Sequence, residues 1–208
     1  MMEAGRYFLG VDGGGTKTAF ILVHQDGAVA ASHEESNAYH LQIGLDGLRD
    51  VLAAGVHALL AQVGIGAAAI RHAFFGLPAY GEDSRLQPLI DAIPEQILGH
   101  RRYHCGNDMV CGWAGSLGGG DGINIVAGTG SIGYGERKGQ TARAGGWGEL
   151  FSDEGSAYWI AVRGLNLFSR MSDGRLPKGP LHGLMMEMFA LSAELDLCGR
   201  IMTGAASS

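Results

Sequence analysis

The chain has 208 residues, 46% hydrophobic and 17% charged, which excludes a wholly disordered polymer and leaves enough length for a sizeable core. Its 36 glycines far exceed the usual share of about 7%, but they cluster without a three-residue period, so a collagen-like fibre is excluded. A net charge of −6 and the lack of any lysine and arginine cluster argue against electrostatic binding of nucleic acid.

Met1–Tyr7 is polar and runs straight into an apolar segment, unlike a secretory signal. Tyr7–Val11 reads as a strand and ends in Asp12-Gly13-Gly14-Gly15-Thr16-Lys17-Thr18. Ala19–Val23 is a second strand, Gln25-Asp26-Gly27 a hairpin turn and Ala28–His33 a third strand. A helix is predicted from about Gly44 to Val63, with large apolar residues recurring at Leu45, Leu48, Leu52, Val56, Leu59 and Val63. Val51–Ile70 carries no charge, but this helical recurrence, with His57 and Gln62, reads as a buried amphipathic helix rather than a membrane span. His72–Leu77 is a buried strand, and Asp83–Leu98 a second helix. Arg102–Cys105 is a short strand leading to Asn107-Asp108, and Met109–Ala114 starts a helix.

Ser116–Gly122 is a glycine-rich loop, and a domain boundary is placed there, giving residues 1–120 and 121–208. Ile123–Ala127 opens the second part, followed by Gly128-Thr129-Gly130-Ser131 and strands at Ile132–Glu136 and Thr141–Arg143. The opening strand–turn–strand of the chain thus recurs. Gly145-Gly146-Trp147-Gly148 is a tight loop. Ser152 reads as a helix N-cap, with Asp153 and Glu154 in the first turn. Beyond Met171 the chain is loop-like, then helical over Leu181–Leu195, and Ile201–Ser208 reads as a polar tail.

The two glycine loops are the chemical core of the sequence. The first nearly matches a P-loop, but Thr16-Lys17 stands in the wrong order and a strand, not a helix, follows. The second matches G-x-G-x-x-G over Gly128–Gly133, yet again no helix follows to receive a pyrophosphate. Glycine hairpins of this kind cradle phosphate through backbone amides. Gly13, Gly14, Gly15, Thr16, Lys17 and Thr18, with Gly128, Thr129, Gly130 and Ser131, are the candidate phosphate ligands. Asp12 ends its strand where a carboxylate could hold Mg2+ through water. Asp108 follows a short strand and is the candidate general base.

The segments Phe8–Thr18 and Gly128–Ser131 resemble the two phosphate motifs of the actin/hexokinase/Hsp70-like ATPase superfamily. Gly145–Gly148 followed by Asp153-Glu154-Gly155-Ser156-Ala157-Tyr158-Trp159-Ile160 resembles the N-acetylglucosamine kinase and BadF/BadG/BcrA/BcrD ATPase-type branch. The resemblance implies an α/β, ribonuclease H-like (actin-like ATPase) fold, with two similar domains of mixed sheets flanked by helices. It implies an ATP- and Mg2+-dependent kinase that phosphorylates the 6-hydroxyl of N-acetylglucosamine or glucosamine. Asp108 matches the family's catalytic aspartate, and Asn37, Asn107, Asp108, Gly146, Trp147 and Asp153 match its sugar-side positions. Gly76-Leu77-Pro78-Ala79-Tyr80 departs from the small-residue step usual in a further sugar-side loop.

The family's adenosine motif and final helix are not identifiable after Met171, so a truncated chain with an incomplete second domain is expected. Apolar surface left open there favours instability or self-association, a homodimer being one form. An amino sugar is the expected partner, with neither nucleic acid nor membrane, in the cytoplasm. Two alternatives remain: an ATPase activating a reductase or dehydratase through an iron–sulfur cluster, and a non-catalytic sugar-binding remnant. Cys105, Cys111 and Cys198 fit no cluster, zinc or disulfide spacing. His100 and His104 lack a third metal ligand.

Overall fold

A computed structural model describes residues 6–202. Strands β1 (Tyr7–Gly13), β2 (Lys17–His24) and β3 (Val29–Ser36) precede helix α1 (His40–Val63). Then come β4 (Ile70–Leu77), α2 (Gln87–Leu98), β5 (Tyr103–Asn107) and α3 (Met109–Leu117). The five strands form one mixed sheet in the order β3-β2-β1-β4-β5. β1–β2 and β2–β3 are antiparallel, while β1–β4 and β4–β5 are parallel.

Alternation along the strands decides which face is covered. Leu9 and Val11, Phe20 and Leu22, and Ala73, Phe75 and Leu77 are all buried. They join Leu48, Leu52, Val56 and Leu59 of α1 in one core cluster, each large side chain contributing about 1.5–3 kcal/mol by leaving water. Gly55 permits the close approach of helix and sheet, since a Cβ there would overlap the Phe20 ring. Gly44 interrupts α1 with non-helical angles, so the regular helix begins where the apolar recurrence begins. Gly64 ends it in the left-handed conformation. Among the described residues no helix is long and apolar enough to cross a membrane.

The parallel pairing brings three carboxyl ends to one edge. Asp12 of β1 stands opposite Gly76 of β4, and Leu77 of β4 opposite Asn107 of β5. Ligands of open α/β sheets bind at such edges. α2 starts at Gln87, later than the predicted Asp83; residues 83–86 form a turn into it, in which the Asp83 carboxylate accepts from Arg85 N at 2.9 Å.

A three-stranded sheet follows: β6 (Gly122–Ala127), β7 (Ser131–Arg137) and β8 (Gln140–Gly145), in that order. Helices α4 (Ala157–Ser172), α5 (Pro180–Met188) and α6 (Asp196–Met202) complete the described chain. Two compact units result. The first runs to Asn124 and includes Tyr134–Ala142; the second comprises Ile125–Gly133 and the chain from Arg143. In the second, Phe168, Met185 and Leu197 form a small core from α4, α5 and α6.

Two local expectations are corrected. The cap of α4 is Ser156, whose Oγ accepts from Trp159 N at 3.1 Å, and not Ser152. Asp153 and Gly155 take left-handed angles, φ 57° and φ 82°, so no helix can start before Ser156. The helix expected over Leu181–Leu195 ends at Met188, where Ala190 takes φ 47°, and α6 begins only at Asp196, beyond the expected span. Of the expected polar tail, Ile201 and Met202 end α6, and residues 203–208 lie outside the described residues.

Candidate active site

The candidate residues fall into two clusters, one in each unit. In the first unit the β1–β2 turn is closely packed. A Cβ on Gly13 would stand 2.9 Å from the Gly76 carbonyl oxygen and 3.2 Å from Ala38 Cβ. One on Gly14 would stand 2.8 Å from the Lys17 carbonyl oxygen, and Gly14 O accepts from Ala38 N at 3.1 Å. Gly15, Thr16 and Lys17 are exposed. Lys17 Nζ is held 2.6 Å from Glu34 Oε1. Thr18 stands apart from these donors: it is fully buried and its hydroxyl donates to Ser36 O at 2.7 Å. Asn37 Oδ1 accepts from Tyr39 N at 3.2 Å, shaping the turn into α1.

Asp12 ends β1 at the rim of a cavity of about 1040 Å³ whose walls include Phe74, Cys111 and Trp113. Asp12 keeps an exposed side, and its partial burial raises the carboxyl pKa above the ordinary value. Asp108 follows β5 immediately and is half-buried. Burial raises its pKa, and the charge of Asp12, then that of Glu82, add to the effect. Cys111, on the first turn of α3, has its thiol pushed up to about 12 by burial, with Asp12 and Asp108 contributing.

The neighbouring residues explain why Asp108 does not supply the side-chain cap of α3. Asn107 Oδ1 accepts from Met109 N at 3.1 Å and so caps α3, while Asn107 Nδ2 donates to Tyr80 O at 3.3 Å. Asp108 makes no side-chain cap bond. Its backbone N–H donates to Leu77 O at 3.3 Å, which ties β5 to the loop after β4. Gly76 permits a close approach here: a Cβ would overlap Cys111 Sγ and stand 3.3 Å from Asp108 Cα. Its position between Phe75 and Leu77 in an apolar strand signals such a close approach. Tyr80, whose hydroxyl reaches Asp91 Oδ1 at 2.8 Å, has no comparable sequence signal.

In the second unit, the loop Gly128–Ser131 joins β6 to β7. Gly128 O accepts from Ala157 N at 2.8 Å, which fastens the loop to the start of α4. Ser131 Oγ donates to Glu154 O at 2.7 Å, whereas Gly128 and Thr129 are exposed. Asp153 is 8% exposed, and its Oδ1 accepts from Gly148 N at 3.2 Å. A Cβ on Gly130 would lie 2.7 Å from Asp153 Oδ2, so this carboxylate touches both loops of the unit. Gly146 has φ 69° and presses on Ile132. Trp147 is 74% exposed, which rules out core filling as its role. Among the described residues, no group of three or more His, Cys, Asp and Glu side chains could hold a metal, His100 and His104 included.

Residues 9–201 match the profile of the BadF/BadG/BcrA/BcrD ATPase family. The chain is 29% identical over 203 residues to an N-acetyl-D-glucosamine kinase of Dictyostelium discoideum, covering 91% of this chain and 62% of that one. It is 38% identical over 96 residues to an N-acetylmuramic acid/N-acetylglucosamine kinase of Clostridium acetobutylicum, covering 46% and 31%. Among solved structures, a candidate N-acetylglucosamine kinase from Chromobacterium violaceum superposes with a TM-score of 0.67 at 30% identity, covering 95% of this chain and 69% of that one. The chain thus spans less than two thirds of the length of the curated relatives it matches.

Proposed function

The chain belongs to the BadF/BadG/BcrA/BcrD ATPase family, and from that premise we propose that it carries the phosphate loops and acceptor site of an ATP-dependent amino-sugar kinase. The reaction moves the γ-phosphoryl group of ATP to the 6-hydroxyl of N-acetylglucosamine or glucosamine. The observation that carries this reading is the half-buried Asp108 carboxylate just after β5, which feels the charge of Asp12 and makes no side-chain cap bond. The names of both curated relatives support the choice of sugar.

Asp108 accepts the proton of the 6-hydroxyl as that oxygen attacks the γ-phosphorus; ADP departs with the bonding electrons. A carboxyl held above its ordinary pKa is the better base for this step. The exposed Gly15 amide and the hydroxyls of the exposed Thr16 and Thr129 are placed to donate to phosphate oxygens. Trp147 offers an apolar wall to a sugar ring, and Asp153 and the backbone of Gly146 offer partners to hydroxyl or acetamido groups.

The residues fit a magnesium ion. Asp12 and Asp108 repel one another at the strand ends, and Mg2+ is usually held by one or two carboxylates together with substrate phosphates. Asp12 would hold it through water, and the ion would neutralise charge on the transferring group. The cysteines do not favour the iron–sulfur alternative: burial pushes the thiols of Cys105 and Cys111 up to about 12.

The test is a coupled ADP-release assay with ATP and Mg2+, comparing N-acetylglucosamine, glucosamine, glucose and no sugar. Release that depends on an amino sugar supports the kinase. Release without sugar dependence favours the reductase-activating ATPase. Sugar binding without any release favours a non-catalytic sugar-binding protein.

A further inference from the structure

The loop after β4 is held in an unfavourable shape by a side chain that reaches away from the site. Ala79 takes φ 58° and Gly81 takes φ 85°. A left-handed alanine costs roughly 1–2 kcal/mol, so neighbouring contacts must hold it there. Tyr80 lies between these two residues. Its hydroxyl donates to Asp91 Oδ1 at 2.8 Å and accepts from Gln87 Nε2 at 3.2 Å, both on α2. Asp91 is itself fixed, since its carbonyl accepts from Tyr103 OH at 2.6 Å. Burial and Asp91 push the Tyr80 hydroxyl up to about 12, so it stays a donor.

The opposite end of the same residue faces the acceptor site. Tyr80 O accepts from Asn107 Nδ2 at 3.3 Å, and this bond orients the amide so that Asn107 Oδ1 meets Met109 N at 3.1 Å. Leu77 O, at the start of the loop, accepts from both Tyr80 N and Asp108 N, at 3.2 and 3.3 Å. A continuous path therefore runs from Asp91 through Tyr80 and Asn107 to Asp108, the candidate base.

We infer that Tyr80, anchored by Asp91, is a positioning residue for Asp108. It holds the loop so that Asn107 caps α3 and Asp108 stays uncapped, facing the acceptor hydroxyl. The inference rests on the kinase reading above. Without the anchor, Ala79 relaxes, the Asn107 amide loses its orientation and Asp108 can turn inward to cap the helix.

Three variants test this: Tyr80→Phe, Asp91→Ala and Asp91→Asn. The last keeps an acceptor oxygen for the Tyr80 hydroxyl. Tyr80→Phe and Asp91→Ala should lower kcat by about ten- to a hundred-fold with KM for ATP unchanged, while Asp91→Asn should stay near the parent. The amide NMR signals of Asp108 and Met109 should shift in the first two variants and hold in the third. Should Tyr80→Phe fail to fold, the Asp91 pair carries the same comparison. Unshifted amide signals, or parental kcat in Tyr80→Phe, would overturn the inference. If the unsubstituted chain shows no sugar-dependent release, the kinase reading falls; the amide signals then decide alone whether Tyr80 places Asp108.

Discussion

Gly130 leaves the space that the Asp153 carboxylate occupies, for a methyl group at Gly130 would stand 2.7 Å from Asp153 Oδ2. The other oxygen accepts from Gly148 N at 3.2 Å, so one carboxylate links the Gly128–Ser131 turn to the Gly145–Gly148 loop. Asp153 holds φ 57°, which asparagine tolerates better than alanine. Asp153→Asn should therefore unfold in urea near the parental midpoint. Asp153→Ala should lose about 1–3 kcal/mol through strain and the lost bond. Gly130→Ala should turn the carboxylate aside and raise the sugar KM several-fold. Equal midpoints for the alanine and asparagine variants would remove both the strain and the bond from the account.

Asp108→Asn keeps the size of the side chain and removes its basicity. Turnover should fall by about a hundred-fold or more, with sugar binding retained in calorimetry. The pH profile gives a second check. The base works only when ionised, and burial, the largest cause, raises its pKa; the further push from Asp12 would be offset by a bound Mg2+. Activity should thus decline, as pH falls, at a value above the ordinary carboxylate range of about 4. An acid limb at the ordinary value, or turnover near normal in the variant, would take the base role from Asp108.

Much of the fold was legible because it depends on local pattern. Leu48, Leu52 and Val56 recur at helical spacing and are buried together, and the two glycine hairpins lie between strands as read. The candidate base could be read because Asn107-Asp108 follows a short strand. Choices between neighbours could not. Ser152-Asp153-Glu154 has the composition of a helix start, but the left-handed Asp153 and Gly155 move the cap to Ser156. Likewise Asn107, not Asp108, supplies the α3 cap, a decision made by the carbonyl of Tyr80 from a distant loop. Thr18 belongs to the glycine motif in sequence, yet strand alternation turns it into the core. The Tyr80–Asp91 bond joins a loop to a helix with no spacing rule behind it.

Asp12 illustrates a site that opposes stability. Its carboxyl pKa is raised in the folded chain, by burial, above the value it would have unfolded. Below the unfolded value both states are protonated and no penalty exists. As pH rises through the folded value the group must ionise in an unfavourable place, and stability is lost. Asp12→Asn should therefore raise the thermal midpoint at pH 7, show no gain at pH 3, and abolish magnesium-dependent turnover. A variant less stable than the parent at pH 7 would refute the linkage.

Gly76 and Cys111 make the sharpest packing prediction. A Cβ at Gly76 would overlap Cys111 Sγ, and the glycine cannot move away because Val11 O stands 3.3 Å from the same point. The thiol is also held on the sheet side, donating to Val11 O at 3.5 Å. Gly76→Ala should thus cost about 1–3 kcal/mol by overpacking and push α3, with Asp108, off the sheet. Cys111→Ala alone removes one sulfur and should cost less. In the double variant the new methyl group enters the space that the sulfur vacates, so the losses should be strongly non-additive, with most of the Gly76→Ala penalty recovered. Urea unfolding of the four proteins measures the coupling. Additive losses would mean that the backbone contacts to Asp108 Cα and Val11 O, rather than the thiol, set the requirement for glycine.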